Sequence, residues 1–403
     1  MEKRFVYADN AATTKVSDKA FEAMLPYLKE SYGNPSGVYS LGMEASRGVL
    51  GARQQVQKAI GAAKVGEIFF TSCGSEADNW AIRGAAKLGE RSGKRHIITT
   101  AIEHHAVINT CKDLEKNGFE VTYLKPDEQG FITARQVEGA IREDTALVSV
   151  MAVNNEIGTI QPIAEIGKVC REKKVLFHTD AVQAIGHIPV DVKAMNVDML
   201  SLSGHKFHAP KGVGALYIKG GTDIAPLIFG GSQERGRRAG TENVPAIAAM
   251  GEAITEAVSG IEEKNAAVKA LCEPIIDGIL SQIPCSRLNG SRENRVSGNL
   301  NFSFRGIEGE SLLLLLDMHG ICASSGSACA VGSSEPSHVL TAIGLEKAAA
   351  HGSVRLTLNE DNTADDAEYI LKVLPEAVKE LRRRSPLWQR ICENEGIEDY
   401  TNE

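Results

Sequence analysis

No Cys-x-x-Cys pair and no zinc-ligand repeat occurs among Cys73, Cys111, Cys170, Cys272, Cys285, Cys322, Cys329 and Cys392. Cysteines dispersed in this way read as buried thiols with one reactive member, not as a metal framework. Long apolar runs are also missing. The longest leucine run, Leu312 to Leu316, is far too short to cross a bilayer. Met1 to Asn10 holds no apolar signal-peptide core, because Asp9 and Asn10 interrupt it, so a cytoplasmic protein is expected. Lys+Arg 44 against Asp+Glu 52 leaves a net charge of -8, which argues against a nucleic-acid surface. There is no Walker lysine, no G-x-G-x-x-G and no H-E-x-x-H. Internal repeats and low-complexity segments are absent as well. Neither a metal site, a membrane nor a nucleic-acid partner is expected.

What remains is an ordinary globular composition, 43% hydrophobic and 24% charged, over 403 residues, enough for two domains. Val49, Ala52, Val56, Ala59 and Ile60 keep helical spacing, with Gly61 as a stop. Short apolar runs follow at Glu67 to Phe70, His96 to Thr99, Ala146 to Met151, Val175 to His178 and Asp198 to Ser201. Helical patterns separate most of them. This alternation predicts an α/β domain with a mainly parallel sheet, whose ligands bind beyond the carboxyl ends of the strands. After about residue 262 the texture changes to an α+β pattern. Ser297 to Phe304 and Val354 to Leu358 alternate like half-exposed strands. Near the end, Ile370, Val373, Leu374, Ala377, Val378 and Leu381 keep helical spacing, and Pro375 inside it predicts a kink or two shorter helices.

Met199-Leu200-Ser201-Leu202-Ser203-Gly204-His205-Lys206 is an apolar run ending in a turn that presents one lysine. Burial disfavours an ammonium and so exposes a nucleophilic amine able to form a Schiff base. Alone, the segment fits a surface lysine equally well. Asp180 follows the strand Val175 to His178. Alone it reads as a helix N-cap. With Lys206 close behind, it reads better as the partner of a protonated ring nitrogen, as pyridoxal phosphate requires.

Thr71 to Asn79, with Gly74 and Ser75, is a small-residue turn opening a helix, suited to a phosphate or to an ordinary connection. His104 follows a strand and suits stacking on an aromatic cofactor, while His105 fits a surface position. Asn155 ends another strand, and Arg355 offers a guanidinium for a carboxylate or a surface salt bridge. The basic segment Gly230 to Asn243 fits a phosphate or another subunit. Cys329 lies in a glycine- and serine-rich loop, the setting of an accessible, reactive thiol. Cys322 reads as a packing residue.

Together, Tyr7-Ala8-Asp9-Asn10-Ala11-Ala12-Thr13-Thr14, Gly33-Asn34-Pro35-Ser36, Ser203-Gly204-His205-Lys206, Arg238-Ala239-Gly240-Thr241-Glu242-Asn243, Ser325-Gly326-Ser327-Ala328-Cys329 and Ser385-Pro386-Leu387-Trp388 cover nearly the whole chain. In these segments it resembles the pyridoxal-phosphate cysteine desulfurases of the nitrogen-fixation and iron–sulfur-cluster type, within the class V aminotransferase-like family.

The resemblance implies a fold type I transferase, like aspartate aminotransferase. Residues 15–262 would form the large cofactor-binding domain. Residues 1–14 and 263–403 would form the small domain, carrying a mobile cysteine loop at 322–336. It implies a homodimer with pyridoxal 5'-phosphate bound at Lys206. Asp180 would pair with the ring nitrogen, Gln183 with the phenolic oxygen, and His104 would stack on the ring. Gly74, Ser75, Ser203 and His205 would hold the phosphate, with Thr241 reaching in from the partner subunit. Asn155 and Arg355 would hold the carboxylate of L-cysteine, and Cys329 would accept its sulfur as a persulfide. L-alanine would leave, and the sulfur would pass to an iron–sulfur scaffold or another acceptor protein. The alternatives are a selenocysteine lyase or other β-lyase, and a non-catalytic assembly scaffold. Ser75 replaces a more usual threonine, and Ala330-Val331 replaces the usual Thr-Ser after the cysteine.

Overall fold

The computed structural model describes residues 4–325 and 336–402. Twelve strands are numbered in chain order. They are β1 (Val6–Tyr7), β2 (Ile68–Thr71), β3 (His96–Thr100), β4 (Glu120–Leu124), β5 (Thr145–Ser149), β6 (Leu176–Asp180), β7 (Met199–Ser203), β8 (Gly214–Ile218), β9 (Ser286–Leu288), β10 (Asn299–Phe304), β11 (Ile321–Cys322) and β12 (Ser353–Thr357). The helices used below begin with α1 (Asp18–Lys29), α2 (Ser40–Ala59), α3 (Gly74–Glu90) and α4 (His105–Lys116).

Seven strands form one sheet in the order β2-β8-β7-β6-β5-β3-β4. β8 is antiparallel to both its neighbours, and the other pairings are parallel, so six strands share one direction. The expected mainly parallel α/β sheet is therefore present. Its inner strands are buried along their length, because helices cover both faces. On α3, Ala77, Trp80, Ala81 and Ala85 are solvent-free and pack with Phe69, Ile97, Leu147 and Met199 of the sheet. Ile68, Ile98, Val148, Phe177 and Leu200 belong to a second cluster, which includes Val49, Ala52 and Val56 of α2. The helical spacing read around Val56 is that buried face, and Gly61 beyond it takes φ +66, a left-handed conformation that suits glycine.

A separate core gathers around the three-stranded sheet β12-β10-β9, with Ile275, Ile279, Leu300, Phe302, Leu356 and Ile370. Here one expectation fails. β10 and β12 are buried on both faces, not half-exposed. Their polar face carries Asn299, Asn301 and Arg355, and it is covered by the segment after β5. Asn301 Nδ2 donates to the Glu156 carbonyl at 3.0 Å and Arg355 Nη1 to the Asn155 carbonyl at 2.8 Å. Of the two alternatives at Pro375, two shorter helices are not found: one helix spans Ala364 to Arg383. Proline removes one backbone donor at a cost of ~3 kcal/mol. The buried row Ile370, Val373, Leu374, Ala377 and Val378 outweighs that cost. Ser385 caps the final helix, Pro386–Glu395, and Trp388 stacks under the Arg382 guanidinium at 3.9 Å.

Candidate active site

The carboxyl ends of β2, β3, β5, β6 and β7 open onto one cavity of about 220 Å³. Lys206, Asp180, Gln183, His104, Gly74, Ser75, Ser203, His205, Asn155 and Arg355 all line it. All but Arg355 sit at or just after the end of a buried strand, where the chain turns; Arg355 reaches in from the middle of β12. β7 ends at Ser203, and a single 3₁₀ turn, Gly204–Lys206, aims the lysine inward. Its Nζ donates to the carbonyls of Ala11 and Ala12 at 2.6 and 2.8 Å. Gln183 Nε2 also donates to the Ala11 carbonyl, at 2.9 Å.

Asp180 ends β6, and no helix follows for it to cap. Its Oδ1 accepts the Val182 N–H at 2.9 Å. Burial raises its pKa to about 6, against the Val182 hydrogen bond and the nearby Lys206. Beneath it lies a polar layer that sequence reasoning missed. His178 contacts Ser149 Oγ through Nδ1 and Ser201 Oγ through Nε2, both at 2.9 Å. Asp78 Oδ1 stands 3.7 Å from His178 Nε2. Burial pushes the His178 imidazole down to about 3, and burial together with Asp180 holds the Asp78 carboxyl well above the usual range. The signal for Asp78 was its place on the apolar face of α3, between Gly74 and Ala81.

His104 caps α4: its Nδ1 accepts the Ala106 N–H at 3.1 Å, which places the ring proton on Nε2. Burial first, then Lys206 and its histidine neighbours, lower its pKa to about 4. Glu103, immediately before it, is wholly buried and was also missed. Its Oε1 accepts Thr100 Oγ and the Met151 N–H, while Oε2 has no partner among the described residues. His105 is half-buried and lies against the His338 ring at 4.6 Å.

Arg355 is 1% exposed, so the surface salt bridge considered from sequence is excluded. Nη2 pairs with Asp9 at 3.0 Å, and Nε has no partner among the described residues. Thr241 is exposed and does not line this cavity. The arginines of its segment are occupied within the chain. Arg238 pairs with Glu76 at 2.7 Å, Arg237 with Asp223 at 2.7 Å, and Arg235 lies over Phe69 at 4.0 Å. Glu234 pairs with Arg53 through both oxygens. Cys329 and most of the 322–336 loop lie outside the described residues; Cys322 is half-buried in β11.

Residues 6–370 match the family model described as aminotransferase class-V. The chain belongs to the class V aminotransferase family. It is 54% identical over 391 residues to a cysteine desulfurase IscS of Clostridium botulinum, covering 96% of this chain and 98% of that protein. A solved NifS-like protein superposes with TM-score 0.88 at 40% identity, over 94% of this chain and 100% of that one. The structure titled SspA in complex with cysteine matches with TM-score 0.78 at 40% identity, over 88% and 99%.

The cofactor of this class V enzyme is pyridoxal 5'-phosphate, and the donor set fits it. The first turn of α3 presents unpaired N–H groups beside the hydroxyls of Ser75 and Ser203 and the His205 ring, a setting for a phosphate dianion. Gly74 permits that approach: a Cβ there would stand 2.8 Å from Val182 Cγ2 and 3.3 Å from Ser203 Cβ. Asp180 would supply a buried carboxylate for a cationic ring nitrogen, and Lys206 would supply the amine.

Proposed function

We infer that this chain is a pyridoxal-phosphate-dependent cysteine desulfurase, which converts L-cysteine to L-alanine and transfers the sulfur to one of its own cysteines. The convergence of Lys206, Asp180, His104 and Arg355 on one cleft carries this reading. The bound coenzyme supplies an electron sink for the charge left at the substrate Cα. Lys206 holds the coenzyme and moves the Cα proton. Asp180 keeps the ring nitrogen protonated, because a buried carboxylate is stabilised by an adjacent cation. The His104 ring would stack on the coenzyme, with Nδ1 engaged by the Ala106 N–H and the ring proton on Nε2. Gln183 takes the phenolic oxygen. Ser75, Ser203 and His205, with the N-terminus of α3 at Gly74, take the phosphate. Asn155 and Arg355 hold the amino-acid carboxylate. The thiolate of Cys329 attacks the substrate sulfur, the Cβ–S bond breaks with its electron pair going to the three-carbon fragment, which takes up a proton and leaves as L-alanine, and the sulfur stays on Cys329 as a persulfide.

We further propose a homodimer. Exposed apolar side chains concentrate on α1, α2 and the stretch between them: Phe21, Leu28, Tyr32, Val38, Tyr39 and Met43. Such a surface suits a second copy, and Thr241, away from its own cleft, would serve the partner's. The division into a large domain at 15–262 and a small one at 1–14 and 263–403 belongs to the same proposal, supported by the separate cores. So do delivery to an iron–sulfur scaffold or similar acceptor and a cytoplasmic setting. Every described cysteine is a free thiol, and no single described helix is long and apolar enough to span a membrane.

The test is to incubate holoenzyme with L-cysteine, quantify alanine, and weigh the peptide that carries Cys329. Alanine together with sulfane sulfur on that peptide is expected. Sulfur accumulating only on another cysteine would remove Cys329 from the reaction.

A further inference from the structure

The motif Tyr7 to Thr14 contributes backbone carbonyls to Lys206, but its one acidic side chain has no role in the reaction described above. Asp9 lies where β1 leads into the cleft, held by a bridge to Thr357. Its Oδ1 accepts from Arg355 Nη2 at 3.0 Å. Ser324 Oγ stands 2.9 Å from both of its oxygens, and the Ser324 backbone pairs with that of Arg355. One hydroxyl proton serves two oxygens, so the contact divides the carboxylate between Ser324 and the guanidinium. Arg355 is almost wholly buried, whereas the Asp9 side chain keeps 17% of its exposure.

We infer that Asp9 is the resident counter-ion of Arg355 and weakens the hold of that arginine on the substrate and product carboxylate. This rests on the desulfurase reading, in which Arg355 receives that carboxylate. A buried guanidinium without a counter-ion is strongly unfavourable, and it would bind any carboxylate that reaches it. With Asp9 in place, an incoming amino acid brings a second negative charge to one cation. The guanidinium then serves two anions, and neither receives its full attraction. The consequence is a cleft that releases L-alanine readily after sulfur transfer. Ser324 sets the strength of this competition, because its hydroxyl draws part of the Asp9 charge away from Arg355.

The experiment measures binding of L-alanine and of L-alaninamide, which lacks the carboxylate, to holoenzyme by titration calorimetry. Asp9→Asn keeps the shape and an acceptor oxygen and removes the charge. It is expected to tighten L-alanine roughly tenfold while moving the amide less than about twofold. Ser324→Ala leaves the charge and removes its second partner, so L-alanine is expected to bind more weakly, again with little change for the amide. A purely structural Asp9 predicts the opposite sign for Asp9→Asn, with both ligands weakened together; that outcome, or an unchanged L-alanine affinity, overturns the inference. If Asp9→Asn does not fold, Ser324→Ala decides, and an unchanged L-alanine affinity there overturns it equally. Alanine production from L-cysteine by the wild type, followed in parallel, tests the desulfurase reading on a separate readout.

Discussion

Glu103→Gln is expected to change sign in its effect on stability as pH rises. Glu103 is solvent-free beneath the cleft, and burial raises its pKa to about 8 against the hydrogen bonds from Met151 and Thr100. In the unfolded chain the same group titrates near 4.5. The folded state therefore holds a proton that the unfolded state releases. That contribution is fully present below the unfolded value and is lost as pH climbs through the folded one. At about 1.4 kcal/mol for each pH unit between the two values, the full loss is on the order of 5 kcal/mol. Roughly 3 kcal/mol of it falls between about pH 5.5 and about pH 8.5.

Glutamine cannot ionise. Its Oε1 still accepts from Thr100 and Met151, and its amide nitrogen takes the place of Oε2, which has no partner among the described residues. The protonated wild-type carboxyl already carries one unpaired buried donor on Oε2, so the added cost is the second amide N–H, about 1–3 kcal/mol at every pH. The variant is thus expected to be less stable than wild type in mild acid and as stable or more so in mild base. Urea midpoints at fixed protein and coenzyme concentration, taken across that range, measure the difference. A stability gap that stays constant with pH would refute the reasoning, because it would mean that Glu103 is ionised in the folded protein.

Lys206→Ala is expected to leave no borohydride-fixable bond between protein and coenzyme, and to lower kcat by at least roughly 10²–10⁴-fold; a fixable bond in that variant would move the anchor elsewhere. Glu234→Ala strands Arg53, which is buried against Phe70 and keeps, among the described residues, only the Ile68 carbonyl as a hydrogen-bond partner. A loss of about 3–5 kcal/mol in urea unfolding is expected, and replacing Arg53 by leucine in the same chain should restore much of it.

The parts of the site that were legible in the sequence share one physical signature. Lys206, Asp180, His104 and Asn155 each follow an apolar run closely, and in a parallel sheet covered by helices those positions meet at one edge. Arg355 was legible as a cation but not as a buried one. Alternation along β12 marks a polar face without saying what covers it, and the cover, Asn155, lies 200 residues away. The partners of the arginines after Gly230 were hidden for the same reason: a basic run looks available until the fold brings Glu76, 162 residues distant, against Arg238. Glu103 and Asp78 left a faint trace, as carboxylates inside otherwise apolar patterns, which is where a shifted proton affinity is to be expected.

The segment Ala8 to Thr14 shows why a motif can be recognisable and still chemically opaque. Its side chains are mostly small, and much of its work is done by carbonyls. Ala11 takes Lys206 and Gln183, Ala12 takes Lys206, and Ala8 takes the Thr357 N–H on the strand that carries Arg355. A carbonyl has no letter of its own in a sequence, so only the small size of the residues hints that backbone must come close. Its polar side chains add to this: Asn10 donates to the Thr357 carbonyl, Thr13 and Thr14 bond to His205, and Asp9 is set on Arg355 while the carbonyls of its neighbours hold Lys206. One short stretch thereby fixes the spacing between the two positive groups that an amino acid meets on entering, and a change in its path would alter both at once.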